Sequence, residues 1–160
     1  MIRDSLVVLF TLLIAMLLSI WTTEVSGLPL LIDWVALVLF YWVVALPARV
    51  GLTYALLTGF TVDVLSASPL GHYALIMTLV CLFGQLICLR FRKMDVLSQI
   101  ALVFMLAGVA RFIDVWLASF ETQAVAVTPP LLTALCSALV WPVVMQVLRY
   151  FRRYHGLTEW

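Results

Sequence analysis

Long apolar stretches separated by short polar turns run the whole length of the chain. They form six segments, at residues 5–21, 30–46, 52–65, 71–89, 96–118 and 130–148. The apolar residues are continuous rather than alternating, which favours membrane-spanning helices over the strands of a transmembrane barrel. We therefore predict an all-α integral membrane protein, a bundle of six transmembrane helices that forms a single domain over residues 1–160.

Composition supports this class. Of the 160 residues, 66% are hydrophobic and 11% are charged, and the mean hydropathy is +1.19. A soluble domain of this size cannot bury so much apolar surface. The first segment follows Arg3 and resembles a signal peptide, but it is long for one and no small-residue cleavage site follows it. We expect it to be retained as the first helix.

Basic residues predict the orientation of the bundle. With the N-terminus in the cytoplasm, eight of the nine lysines and arginines face the cytoplasm, and the ninth, Arg111, lies inside the fifth segment. The eight are Arg3, Arg49, Arg90, Arg92, Lys93, Arg149, Arg152 and Arg153. Because cytoplasmic loops carry an excess of basic residues, we predict that both termini are cytoplasmic.

Three charged residues lie deep in apolar segments: Asp63 in the third, and Arg111 and Asp114 in the fifth. A rise of about 1.5 Å per residue places all three in the outer half of the membrane. Arg111 and Asp114 are three residues apart and therefore share a helix face. We predict a polar network of Asp63, Arg111 and Asp114. It holds the helices together, docks a partner or small ligand, or relays protons.

Small residues recur at steps of three and four in several segments, as at Ala55, Gly59 and Asp63 in the third. Such faces allow membrane helices to approach closely. We predict packing within the bundle, with a partner helix as the alternative. The residues Ser66 to Gly71 are predicted to form a short periplasmic turn.

The sequence contains little that indicates chemistry. Three cysteines, an odd number, all lie in apolar segments, which favours neither a disulfide framework nor a metal cluster. His72 has no ligand partner at metal-binding spacing, so we interpret it as an interfacial histidine. Ser66 and Ser68 lack the motifs of serine nucleophiles, and no glycine-rich phosphate loop is present. We expect no catalysis, no metal, no cofactor and no nucleic-acid partner.

Three stretches carry a resemblance to a known family. They are YWVVALPAR at residues 41–49, GFTVDVLSASPLG at residues 59–71, and Trp141-Pro142 in the sixth segment. The second contains the pattern G-x-x-x-D-x-x-S-x-S-x-L-G. Besides Asp63, the motif residues predicted to matter are Gly59, Ser66, Ser68, Pro69 and Gly71. On these residues the chain resembles the MreD family of bacterial rod shape-determining proteins. Asp114 also matches an acidic position of that family, whereas Arg111 does not.

The resemblance implies a non-enzymatic scaffold of the cell-elongation complex in the bacterial cytoplasmic (inner) membrane. Its implied partners are an MreC-like protein, a RodA-like glycosyltransferase with its class B penicillin-binding protein, and, indirectly, MreB. The implied fold is similar to the S components of ECF vitamin transporters. The alternative is therefore a small-molecule-binding subunit of that type, with a pocket near Asp63 and Arg111. Membrane lipid surrounds the protein in either case. The helix that meets each partner, and the oligomeric state, stay open.

Overall fold

Six helices make up the part of the chain that the structure, a computed structural model, describes. That part comprises residues 2–26, 32–119 and 129–154. The helices are α1 (Ile2–Ser26), α2 (Trp34–Ala45), α3 (Leu52–Leu65), α4 (His72–Phe91), α5 (Val96–Ala118) and α6 (Pro130–Tyr154). Each corresponds to one apolar segment of the sequence. The start of the second predicted segment, at residues 30–31, lies outside the described residues.

The helix ends differ from the predicted segment ends where polar residues continue a helix. α1 extends beyond residues 5–21 in both directions, and α6 continues past residue 148 to Tyr154. Backbone hydrogen bonds do not stop where hydrophobicity stops, because amphipathic and charged residues are good helix formers. The apolar pattern therefore indicates which part of each helix can lie in the membrane, and the helix can extend beyond that part.

Four helices have the length and apolar character to cross a membrane: α1, α4, α5 and α6. α2 and α3 have 12 and 14 residues, fewer than the roughly 20 that a full crossing needs. The prediction of six helices is confirmed for the described residues. The prediction that all six cross the membrane is supported by length for these four.

α2 is the centre of the core. Leu39, Phe40, Trp42 and Val43 are almost completely buried, and the helix shows no exposed face. The Trp42 indole Nε1 donates a hydrogen bond to the Thr11 hydroxyl of α1, at 2.8 Å. A helix that is hydrophobic on every side is stable only when other helices surround it. Its neighbours in the bundle are α1, α4 and α6.

Close approach between α3 and α4 depends on Gly59. A Cβ atom at this position would lie 2.3 Å from the Cα of Ala74 and 2.9 Å from the carbonyl oxygen of Tyr73. Both contacts are to backbone, which cannot rotate away as a side chain would. The small residue predicted to serve packing within the bundle therefore does so at this helix pair.

Arg92, the residue after α4, caps the C-terminal end of α2. Its guanidinium donates to the carbonyl oxygens of Val44, at 2.7 and 3.0 Å, and of Ala45, at 2.8 Å. The last carbonyls of a helix have no partner within the helix, and a cation is favourable there. We call this the basic end of the bundle: α2, α4 and α6 end there and α5 begins there. The opposite end is the polar end.

Candidate functional site

The Asp63 carboxylate, near the end of α3, binds the first turn of α4. Its Oδ2 accepts from the amide N–H of Gly71 at 2.8 Å, and its Oδ1 accepts from that of Tyr73 at 2.7 Å. The Ser68 hydroxyl adds a third hydrogen bond at 3.2 Å. Asp63 is 0% exposed. Because the first amides of a helix lack partners within it and carry partial positive charge, Asp63 serves as the N-terminal cap of α4.

The turn between α3 and α4 has the backbone shape that this cap requires. Gly71 has φ +104°, a left-handed conformation that favours glycine. The Ser68 amide donates to the carbonyl of Asp63 at 3.1 Å, which closes the turn. Ser66 ends α3, and the carbonyl of Pro69 accepts from the His72 amide at 3.1 Å. The five motif residues and Asp63 thus lie in one structural unit, in which Gly59 seats α3 against α4.

A second polar group joins α4 to α5 at the polar end. Asp114 forms an ion pair with Arg111 on the same helix, and its Oδ1 lies 2.6 Å from Nε2 of His72. All three side chains are largely buried. Tyr73 also interacts electrostatically with Arg111 and Asp114. We call His72, Tyr73, Arg111 and Asp114 the α4–α5 cluster.

The predicted network of Asp63, Arg111 and Asp114 needs correction. Arg111 and Asp114 lie together, as their spacing indicated, but the hydrogen bonds of Asp63 go to the α3–α4 turn. The side chain that reaches this pair from another helix is His72, which contacts Asp114, and not Asp63, which is expected beside Arg111. Counting residues along a helix gives the height of a side chain but not its direction around the helix axis. The orphan amides of α4 also lie within hydrogen-bonding distance of Asp63.

Sequence reasoning missed two contributors to the polar end. The sequence indicates only an interfacial histidine at position 72, whereas the His72 side chain is largely buried beside Asp114, a contact that no spacing along the chain indicates. Asp33 caps α2 by accepting from the Ala36 amide at 3.2 Å. It also interacts electrostatically with Arg111 and Asp114. The signal for Asp33 was an acidic residue directly before an apolar run, which is typical of a helix N-cap.

The arrangement of these polar side chains is suited to holding helices in fixed positions rather than to catalysis. The buried Asp114 carboxylate is paired with Arg111 on its own helix and with His72 of α4, and the buried Asp63 carboxylate is bonded to the start of α4. Among the residues that the structure describes, no group of three His, Cys, Asp or Glu side chains is placed to hold a metal ion. A buried, paired cluster of this kind fixes the relative positions of helices, because removing one partner leaves an uncompensated buried charge.

A double-mutant cycle checks the pairing. Arg111→Ala and Asp114→Ala should each reduce folded yield strongly, because each leaves a buried charge. The double variant should be milder than the sum of the singles by about 0.5–3 kcal/mol, the usual range for residues in contact. The measurement is thermal unfolding in detergent. Arg111→Ala combined with Asp63→Asn is the comparison pair and should couple more weakly, because these two residues are linked through Tyr73. Coupling of similar size in that pair would contradict the assignment of Asp114, rather than Asp63, as the partner of Arg111.

The chain is apolar, its helices surround one buried helix, and its buried carboxylates have partners inside the bundle. These features are typical of an α-helical integral membrane protein. The model of the family described as rod shape-determining protein MreD matches residues 2–151. A rod shape-determining protein MreD from Haemophilus influenzae is 31% identical over 126 residues, covering 75% of this chain and 74% of the relative. No solved structure matches the chain. The chain belongs to the MreD family. The similarity to S components stays a prediction.

Proposed function

We propose that the protein is a non-enzymatic scaffold of the complex that elongates rod-shaped bacteria. The observation that carries the proposal is the match over residues 2–151 to the family of rod shape-determining proteins MreD. The interior supports a scaffold role, because its charged groups are used in caps and ion pairs that hold helices together. In this proposal the bundle lies in the bacterial cytoplasmic membrane as a multi-pass protein with both termini in the cytoplasm.

The proposed partners are an MreC-like protein and a RodA-like glycosyltransferase with its class B penicillin-binding protein. Contact with MreB filaments is indirect. A rigid bundle suits this role, because partners that bind a preorganised surface lose less conformational freedom on assembly. The Asp63 cap and the α4–α5 cluster would then act at a distance from the partners, by keeping α3, α4 and α5 in fixed register.

Copurification and deletion test the proposal together. Tagged protein taken from native membranes should retain MreC-like and RodA-like proteins, identified by mass spectrometry. Deletion of its gene should give round cells, and wild-type protein supplied in trans should restore rods. The proposal fails if the deletion strain stays rod-shaped and loses uptake of a small molecule, or if the protein copurifies with ATPase subunits and a bound vitamin. Those results would favour the transporter alternative.

A further inference from the structure

A cavity of about 260 Å³ opens at the basic end, between α2, α4, α5 and α6. It is separate from the Asp63 cap and from the α4–α5 cluster, which lie at the polar end. Its polar lining comes from three helices, α2, α5 and α6, and from the residue after α4. The residues that matter are Tyr41, Arg92, Gln99, Trp141, Arg149 and Arg152.

Three polar groups of this lining are buried without a hydrogen-bond partner. They are the Tyr41 hydroxyl, the Gln99 Oε1 and the Trp141 indole Nε1. Their residues are 6%, 6% and 1% exposed. An unpaired buried polar group is unfavourable and rare in native proteins, so three around one cavity call for an explanation. A ligand that accepts from the phenol and the indole and donates to the amide oxygen would satisfy all three.

The charge of the cavity lining indicates the charge of the ligand. Arg149 and Arg152 lie one turn apart on α6 and both line the cavity, whereas Arg92 is already bonded to the end of α2. Of the described residues that line the cavity, none is acidic. Two guanidinium groups, a phenol and an indole together provide many donors for an anion with several oxygens, and phosphate is the anion that this donor set suits best.

We propose that the cavity binds a phosphoglycerol headgroup. The phosphate oxygens accept from Arg149, Arg152, Tyr41 and Trp141, and a glycerol hydroxyl donates to Gln99 Oε1. A simple carboxylate such as acetate has two oxygens for these donors and no hydroxyl for Gln99. Basic pockets between the helices of membrane proteins are typical binding sites for anionic lipid headgroups. The same chemistry is present in free glycerol 3-phosphate, so the source of the headgroup must be determined by experiment.

The experiment places the full-length protein in nanodiscs of phosphatidylcholine and adds phosphatidylglycerol in increasing proportion. Thermal unfolding reports binding, because a ligand of the folded state raises the midpoint. Wild-type protein should be stabilised. Tyr41→Phe and Arg152→Gln should need at least about tenfold more phosphatidylglycerol for the same effect, as expected for the loss of one charge-assisted hydrogen bond. Tyr41→Phe removes only a hydroxyl that has no partner, so its fold should be retained.

Arg153→Gln is the matched control. It removes the same charge from the adjacent residue, but Arg153 is exposed and does not line the cavity. It should respond to phosphatidylglycerol as the wild type does. A second arm adds glycerol 3-phosphate to nanodiscs of phosphatidylcholine alone, and stabilisation there identifies a soluble ligand. Equal losses in Arg152→Gln and Arg153→Gln would overturn the proposal, as would a wild-type protein that responds to neither compound.

Discussion

Gly59→Ala is expected to lower the free energy of unfolding by about 1–3 kcal/mol, the usual cost of overpacking a tight contact. The added methyl group would lie 2.3 Å from the Cα of Ala74, so α3 and α4 must move apart. That movement also draws Asp63 away from the amides of Gly71 and Tyr73. The measurement is thermal unfolding of the purified protein in detergent, together with its level in the membrane.

Gly108→Ala is the matched control for this prediction. The chemical change is identical and also lies within a helix, but the new Cβ would be 3.8 Å from the Cβ of Ala134, an ordinary contact. Alanine is a better helix former than glycine by about 1 kcal/mol, so Gly108→Ala should be neutral or stabilising. If both variants lose stability equally, the close approach at Gly59 is not the cause.

Asp63→Ala is expected to be at least as damaging. It leaves the amides of Gly71 and Tyr73 without an acceptor, at a cost of about 1–3 kcal/mol for each buried donor. It also removes the acceptor of the Ser68 hydroxyl and the negative charge beside the N-terminus of α4. Asp63→Asn keeps one acceptor oxygen and should fall between the wild type and Asp63→Ala. Folded yield and the unfolding midpoint in detergent provide the measurement.

Asp95→Ala is the control for the loss of an aspartate at a helix start. Asp95 precedes α5, but its side chain makes no capping hydrogen bond and is exposed. Its replacement should change stability by no more than about 0.5 kcal/mol, as for most surface substitutions. A comparable loss in Asp95→Ala and Asp63→Ala would contradict the special role of the buried cap.

The six helices could be predicted from the sequence because the part of a helix that lies in a membrane must be predominantly apolar. α3 and α5 begin and end at the predicted residues. The pattern did not indicate that α2 is the enclosed helix, since residues that face lipid and residues that face a protein core are equally apolar. Trp42 and Phe40 are therefore indistinguishable by type from exposed aromatic residues such as Phe112 and Trp116.

Local spacing predicted local contacts in the polar sites and failed for contacts between distant segments. The ion pair of Arg111 with Asp114 follows from a separation of three residues on one helix. The approach of His72 to Asp114 depends on how α4 is rotated against α5, which no spacing reports. The cavity at the basic end has lining residues that are especially far apart in the sequence. Tyr41 and Arg152 are 111 positions apart (152 minus 41), and only the packed bundle shows that they line one space.

The two ends of α2 have a consequence for the order in which the protein is made. The Asp33 amide, at the start of α2, donates to the Ser137 hydroxyl on α6, and the carbonyls at its end accept from Arg92. During synthesis the ribosome releases α2 before either of these residues exists. The innermost helix is thus among the first to leave the ribosome. The hydrogen bond at its start can form only after Ser137, in the C-terminal third of the chain, has been synthesised.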